Sequence, residues 1–113
     1  MLLRNIIRED INSGIKKWKA TRGAVLLDVR SKEEYACRHI EGSVNVPLDT
    51  LVNINSVITD KNIPLFVLCR SGVRSARAAS YLNGNGYRNV YDIGGISSYR
   101  GRTRSYGGEL CLI

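Results

Sequence analysis

This 113-residue sequence contains one histidine, and its three cysteines, Cys37, Cys69 and Cys111, include no Cys-x-x-Cys pair. That is too little for a typical zinc site, so no metal is expected. The Gly-x-x-x-x-Gly-Lys pattern of a P-loop is missing as well, and no other cofactor is expected. Long apolar runs are also absent. The opening stretch MLLRNIIREDIN is interrupted by Arg4 and Arg8, which excludes a signal-peptide core. No segment is long enough to span a bilayer, so no membrane partner is expected and the chain reads as cytoplasmic. An odd cysteine count in such a chain argues for reduced thiols, which leaves at least one available for chemistry. Acidic residues are in the minority, ten against seventeen basic, for a net charge of +7. A surface of that sign attracts anions and can hold nucleic acid non-specifically. The positive charges are scattered outside Arg70-Arg74-Arg77 and Arg100-Arg102-Arg104, and no nucleic-acid motif accompanies them. Nucleic acid is therefore not an expected partner, and most of these charges read as solvated surface.

What is present alternates between two patterns. Ile7, Ile11, Ile15 and Trp18 fall at helical spacing and predict an amphipathic helix over residues 8–20, with Trp18 anchoring it to the core. AVLLDV, residues 24–29, reads as a strand covered on both faces. Ser31 and Glu34 have capping-box spacing and open a short helix over 32–37. SVNVPL, residues 43–48, reads as a second strand stopped by Pro47, and Asp49 is placed to cap a short helical segment after it. LFVL, residues 65–68, is a third buried strand. Arg74 to Asn83 reads as a helix with Ala78, Ala79 and Leu82 on its apolar stripe, ended by Gly84 and Gly86. NVYDI, residues 89–93, is a last core strand before Gly94-Gly95. Tyr99 to Gly108 is polar, basic and Gly-bearing, and is expected to be a mobile, solvated tail. Strands alternating with helices imply an α/β domain with a mostly parallel sheet and right-handed crossovers.

In such sheets ligands bind beyond the carboxyl ends of the strands, and Cys69 lies there, just after LFVL. Arg70-Ser71-Gly72-Val73 then forms a tight loop, and the helix starts near Arg74. Gly72 permits a positive φ, so several loop N–H groups can converge into an anion-binding nest. The helix N-terminus adds partial positive charge, and Arg70 and Arg74 add full charges. All of these favour a thiolate at Cys69. The pattern is that of an activated nucleophile without an obvious general base.

At this point the sequence resembles the rhodanese family of sulfurtransferases. LLDVRSKEEY (26–35), RHIEGSVNVPL (38–48) and FVLCRSGVRSARAASYLNGNGYRNVYDIGGI (66–96) are similar to that family's motifs in order and spacing. The resemblance implies one rhodanese-like domain over residues 1–113, with a motif-bearing core of about 24–101 and a basic tail, 102–113. It implies a three-layer α/β/α architecture around a mostly parallel five-stranded sheet. It further implies that Cys69 takes a sulfane sulfur from a small anionic donor such as thiosulfate, or from another persulfide, and passes it to cyanide or a thiol, glutathione and thioredoxin among them. Residues 70–74 would form the cradle: Arg70 contacts the donor, and the N–H groups of Ser71, Gly72, Val73 and Arg74 stabilise the persulfide. A non-enzymatic module that carries sulfur or binds a partner is the alternative.

Phosphatases that share this fold need a wider loop, with five residues between Cys and Arg. Here four residues separate Cys69 from Arg74, and Ser75 stands where a phosphatase would place Arg, so phosphoryl transfer is not expected. Arg38 replaces the family's usual Gly before His39, and Tyr99 stands where relatives often carry Trp. Arg30 is a secondary candidate for attracting donor anions, although pairing with Asp28 as a structural tie is the preferred reading. His39 reads as a hydrogen-bonded structural residue. Cys37 and Cys111 read as packing residues, a resolving role needing close approach to Cys69.

Overall fold

The computed structural model describes residues 6–106. It contains five strands, β1 (Ile6–Arg8), β2 (Val25–Asp28), β3 (Val44–Asn45), β4 (Leu65–Cys69) and β5 (Val90–Gly95). Four α-helices accompany them: α1 (Ile11–Ala20), α2 (Lys32–Cys37), α3 (Ile54–Val57) and α4 (Val73–Gly84). Two 3-10 segments, Leu48–Asn53 and Ile96–Ser98, complete the set. The strands form one fully parallel sheet in the order β1-β5-β4-β2-β3.

Successive residues of the central strands feed two separate cores, as the alternation of side chains across a pleated strand requires. Leu27, Leu65, Val67 and Cys69 pack with Ile54 and with Ala78, Ala79 and Leu82 of α4. Leu26, Phe66 and Leu68 pack on the other face with Ile11 and Ile15 of α1, against which Trp18 also rests. The sheet is therefore sandwiched between helices, and its central strands read as continuous apolar runs because both faces are covered. Helix α1 comes unusually close: a Cβ on Gly14 would lie 2.3 Å from Ile93 Cγ2.

The N-terminal segment differs from its expected form. Ile6–Arg8 is not the start of a helix but an edge strand paired with Val90–Asp92 of β5. Helix α1 begins later, at Ile11, where the Asp10 carboxylate accepts the N–H of Ser13 as an N-cap. Strand β3 is also shorter than 43–48. Beyond Asn45 the chain still runs beside β2, with Val46 and Leu48 N–H donating to the carbonyls of Asp28 and Val29. Asp49 caps nothing: it lies inside the first turn of a 3-10 segment that starts at Leu48 without a side-chain cap.

The basic tail is likewise not simply solvated. Arg104 forms an antiparallel bridge with His39, and Tyr106 N–H donates to the Ala36 carbonyl at 2.8 Å. The Tyr106 ring sits 4.7 Å from the His39 ring, and Arg104 pairs with Glu41 at 3.0 Å. This segment thus clasps the C-terminal end of α2. Cys111 and residues 107–108 lie outside the described residues. Among the described residues, no helix is long and apolar enough to cross a membrane.

Candidate active site

All five strands run the same way, so their carboxyl ends share one edge, and the candidate residues lie along it. Cys69 is the last residue of β4 and is only 1 % exposed. Its sulfur accepts the Gly72 N–H at 2.9 Å, which folds the loop back over it. Gly72 makes the turn possible: its φ is +109°, a left-handed conformation that a side chain would strain. It is also the N-cap of α4 and supplies no capping side chain. The first-turn N–H groups of α4 therefore face the loop without intrahelical partners. Together with the end of the helix dipole they make the concavity electropositive.

The loop rests on β5. The Arg70 carbonyl accepts the N–H of Ser97 at 3.1 Å. A Cβ on Gly95 would lie 2.3 Å from the Arg70 oxygen and 2.7 Å from Ser71 Cα, so only glycine lets the two backbones meet there. Ser75, in the first turn of α4, is fully buried and donates to Asp92 Oδ1 at 2.8 Å, and the same carboxylate oxygen accepts the Gly94 N–H at 3.2 Å.

The arginines part company. Arg70 is exposed at the lip of the loop. Arg74 makes a two-point fork with Glu34, at 2.6 and 2.9 Å, while staying within electrostatic range of the Cys69 sulfur. Glu34 also completes the capping box at the start of α2, its Oε1 accepting the Ser31 N–H while its own N–H donates to Ser31 Oγ. Chiefly through the Arg74 hydrogen bonds, the Glu34 carboxyl is lowered to about 2, and the same bonds raise the Arg74 guanidinium. A cleft of about 520 Å³ opens beside this pair, walled by Val29, Pro47 and Leu48 and rimmed by Lys32, Asp49 and Arg74.

Arg30 is only 4 % exposed and turned inward. Its guanidinium grips both oxygens of fully buried Asp28, with Nη2 to Oδ2 at 2.8 Å, and also reaches the carbonyls of Glu34 and Arg38. Asn45 Nδ2 crosses from β3 to the carbonyls of Asp28 and Arg30. This group braces the strand ends rather than meeting an anion from solvent. Arg38 fits where a glycine is usual because its backbone is extended, with φ −162°.

His39 is buried and hydrogen-bonded, with Nδ1 2.7 Å from the Tyr35 carbonyl and its ring stacked on Tyr35 at 4.3 Å. Cys37 ends α2 and is partly buried. Reasoning from sequence passed over Glu34 as a partner of the loop, Ser75 and Asp92 as its buried support, and Asn45 as a brace. The Ser31–Glu34 spacing was the one signal that pointed at any of them.

A family model for the rhodanese-like domain matches residues 10–102. The adenylyltransferase and sulfurtransferase uba4 of Ogataea parapolymorpha is 33% identical over 96 residues, covering 84% of this chain and 25% of that protein. The tRNA uridine(34) hydroxylase of Erwinia tasmaniensis is 33% identical over 90 residues, covering 74% of this chain and 26% of that protein. This chain therefore spans about a quarter of the length of each of these two relatives. Among solved structures, a rhodanese with anions from E. coli superposes with a TM-score of 0.67 at 30% identity, covering 73% of this chain and 98% of that one.

Proposed function

The chain belongs to the rhodanese-like domain family, and on that basis we propose that it moves sulfane sulfur through a persulfide on Cys69. The observation that carries the reading is the Gly72 N–H on the Cys69 sulfur at 2.9 Å, inside a loop that opens a helix. An N–H placed on a sulfur at the start of a helix stabilises negative charge there, first as thiolate and then as persulfide. With thiosulfate as donor, the Cys69 thiolate attacks the outer sulfur. The new S–S bond forms as the old one breaks, and its electron pair leaves with sulfite. The terminal sulfur of the persulfide then passes to an acceptor nucleophile, and the thiolate returns. No proton needs to move to Cys69 in either step, so the reaction as written asks for no histidine base. Because Cys69 is 1 % exposed, the donor must present a narrow, end-on sulfur, which favours small anions and slim thiol termini over bulky groups. Exposed Arg70 is the cation such an anion meets first.

Intact mass after thiosulfate treatment tests this. The wild type should gain one sulfur atom and release sulfite, and Cys69→Ala should gain none. Equal sulfur uptake by Cys69→Ala would overturn the assignment. A second reading, a sulfur carrier within a larger assembly, is favoured by the fact that two named relatives are about four times longer than the matched region. It predicts loading by thiosulfate but no turnover with cyanide, glutathione or reduced thioredoxin.

A further inference from the structure

One strong interaction at the site ties the second arginine of the loop region to another helix. Arg74 is placed by sequence to be the cradle's second cation, yet both of its terminal nitrogens are engaged by Glu34, at 2.6 and 2.9 Å. The two side chains are 34% and 26% exposed, so they are neither deeply buried nor loosely solvated. A planar fork of this kind is held in one orientation and neutralises the guanidinium locally. Glu34 is itself fixed by the Ser31 capping box, so its carboxylate does not wander from that position.

We propose that Glu34 is a positioning residue that sets the charge of the sulfur cradle, withholding the Arg74 cation so that Arg70 alone greets the donor. The inference rests on the sulfur-transfer reading above. Its chemical logic lies in the two half-reactions. Thiosulfate must be drawn in, but the sulfite dianion must leave, and the persulfide must give up its terminal sulfur. A second unpaired guanidinium on the first turn of α4 helps the first event and hinders the other two. With Glu34 in place the cradle is selective for anions that are released again, and small dianionic sulfur donors with an anionic leaving group are the class that suits it.

Glu34→Gln is the variant of choice, because glutamine at this position keeps the capping box while removing the charge. In that variant KM for thiosulfate should fall and inhibition by sulfite should strengthen, each by about two- to fivefold, the scale of one interaction between partly exposed charges. Sulfur transfer from the loaded protein to glutathione should slow by a similar factor. Glu34→Asp, which keeps a shortened carboxylate, should lie between wild type and Glu34→Gln. Introduced into an Arg74→Gln background, Glu34→Gln should add nothing to the effect of Arg74→Gln alone. Parallel losses in both half-reactions, or unchanged sulfite inhibition, would mean that Glu34 is only structural. So would a Glu34→Gln effect that persists without Arg74. Sulfur loading of the wild type, followed by mass, separates these outcomes from failure of the sulfur-transfer reading itself.

Discussion

Ser75 and Asp92 meet beneath the Cys69 loop, the hydroxyl donating to Asp92 Oδ1 at 2.8 Å with both residues buried. Ser75 Oγ also lies 3.1 Å from the Gly72 carbonyl, so this hydroxyl joins the turn of the loop to β5. Ser75→Ala leaves the carboxylate with one fewer donor in a dry setting. Stability should fall by about 1–3 kcal/mol, read from urea unfolding, and sulfur loading should slow at constant folded fraction. An unchanged unfolding midpoint would show that water replaces the hydroxyl.

Gly95→Ala tests the floor of the loop more severely. The added methyl meets Arg70 and Ser71 backbone, which cannot swing aside as a side chain would. Overpacking should destabilise by about 1–3 kcal/mol. The displaced loop should lower the sulfur-loading rate on the order of tenfold to a hundredfold. A variant with near-normal loading would show that the cradle tolerates a shift of the loop.

Acid stability follows from Glu34. Its carboxyl is lowered to about 2 in the folded protein, from an ordinary 4.5. A depressed folded value means that the contribution is fully present above about 4.5 and is lost as the pH falls toward 2. Wild type should exceed Glu34→Gln by on the order of 1 kcal/mol at neutral pH, allowing for solvent screening of a partly exposed pair. That difference should close across the same interval in urea titrations at successive pH values. A gap independent of pH would show that the carboxylate charge contributes nothing.

His39→Ala separates structure from chemistry. The variant loses a ring stacked on Tyr35 and packed beside Tyr106, together with the bond from Nδ1 to the Tyr35 carbonyl. A loss of about 1–3 kcal/mol in stability is expected, with thiocyanate formation per folded molecule unchanged. Abolished turnover in a folded His39→Ala protein would bring this ring into the reaction.

The parts that were legible in the sequence are those whose signals are local. Ser31 and Glu34 are three residues apart and form the capping box their spacing announces. The apolar run 65–68 and the positive φ at Gly72 also declare themselves within a few residues. Strand β1 did not, because Ile7 falls four residues before Ile11 and so mimics a helical stripe, while its true partner is β5 at the other end of the chain. The tail's contacts were not legible for the same reason: nothing around Arg104 or Tyr106 indicates that His39 and Ala36 will receive them. Glu34 was read correctly as a cap, but its second partner lies forty residues away and no periodicity connects them. Arg30 carried an ambiguity that only burial resolves, since a charge at a strand end looks the same whether it turns inward or outward.

The close passage of Gly95 under Arg70 and Ser71 limits the direction in which the loop can grow. A loop longer by one residue, the length expected of the phosphatases that share this fold, can gain room only away from β5. The base of the bowl is the backbone of another strand, already in contact with the loop and tethered to it through Ser97. A loop residue displaced toward β5 would meet that base. The depth of the site is therefore set by the backbone of β5 at Gly95 as well as by the number of residues between Cys69 and Arg74.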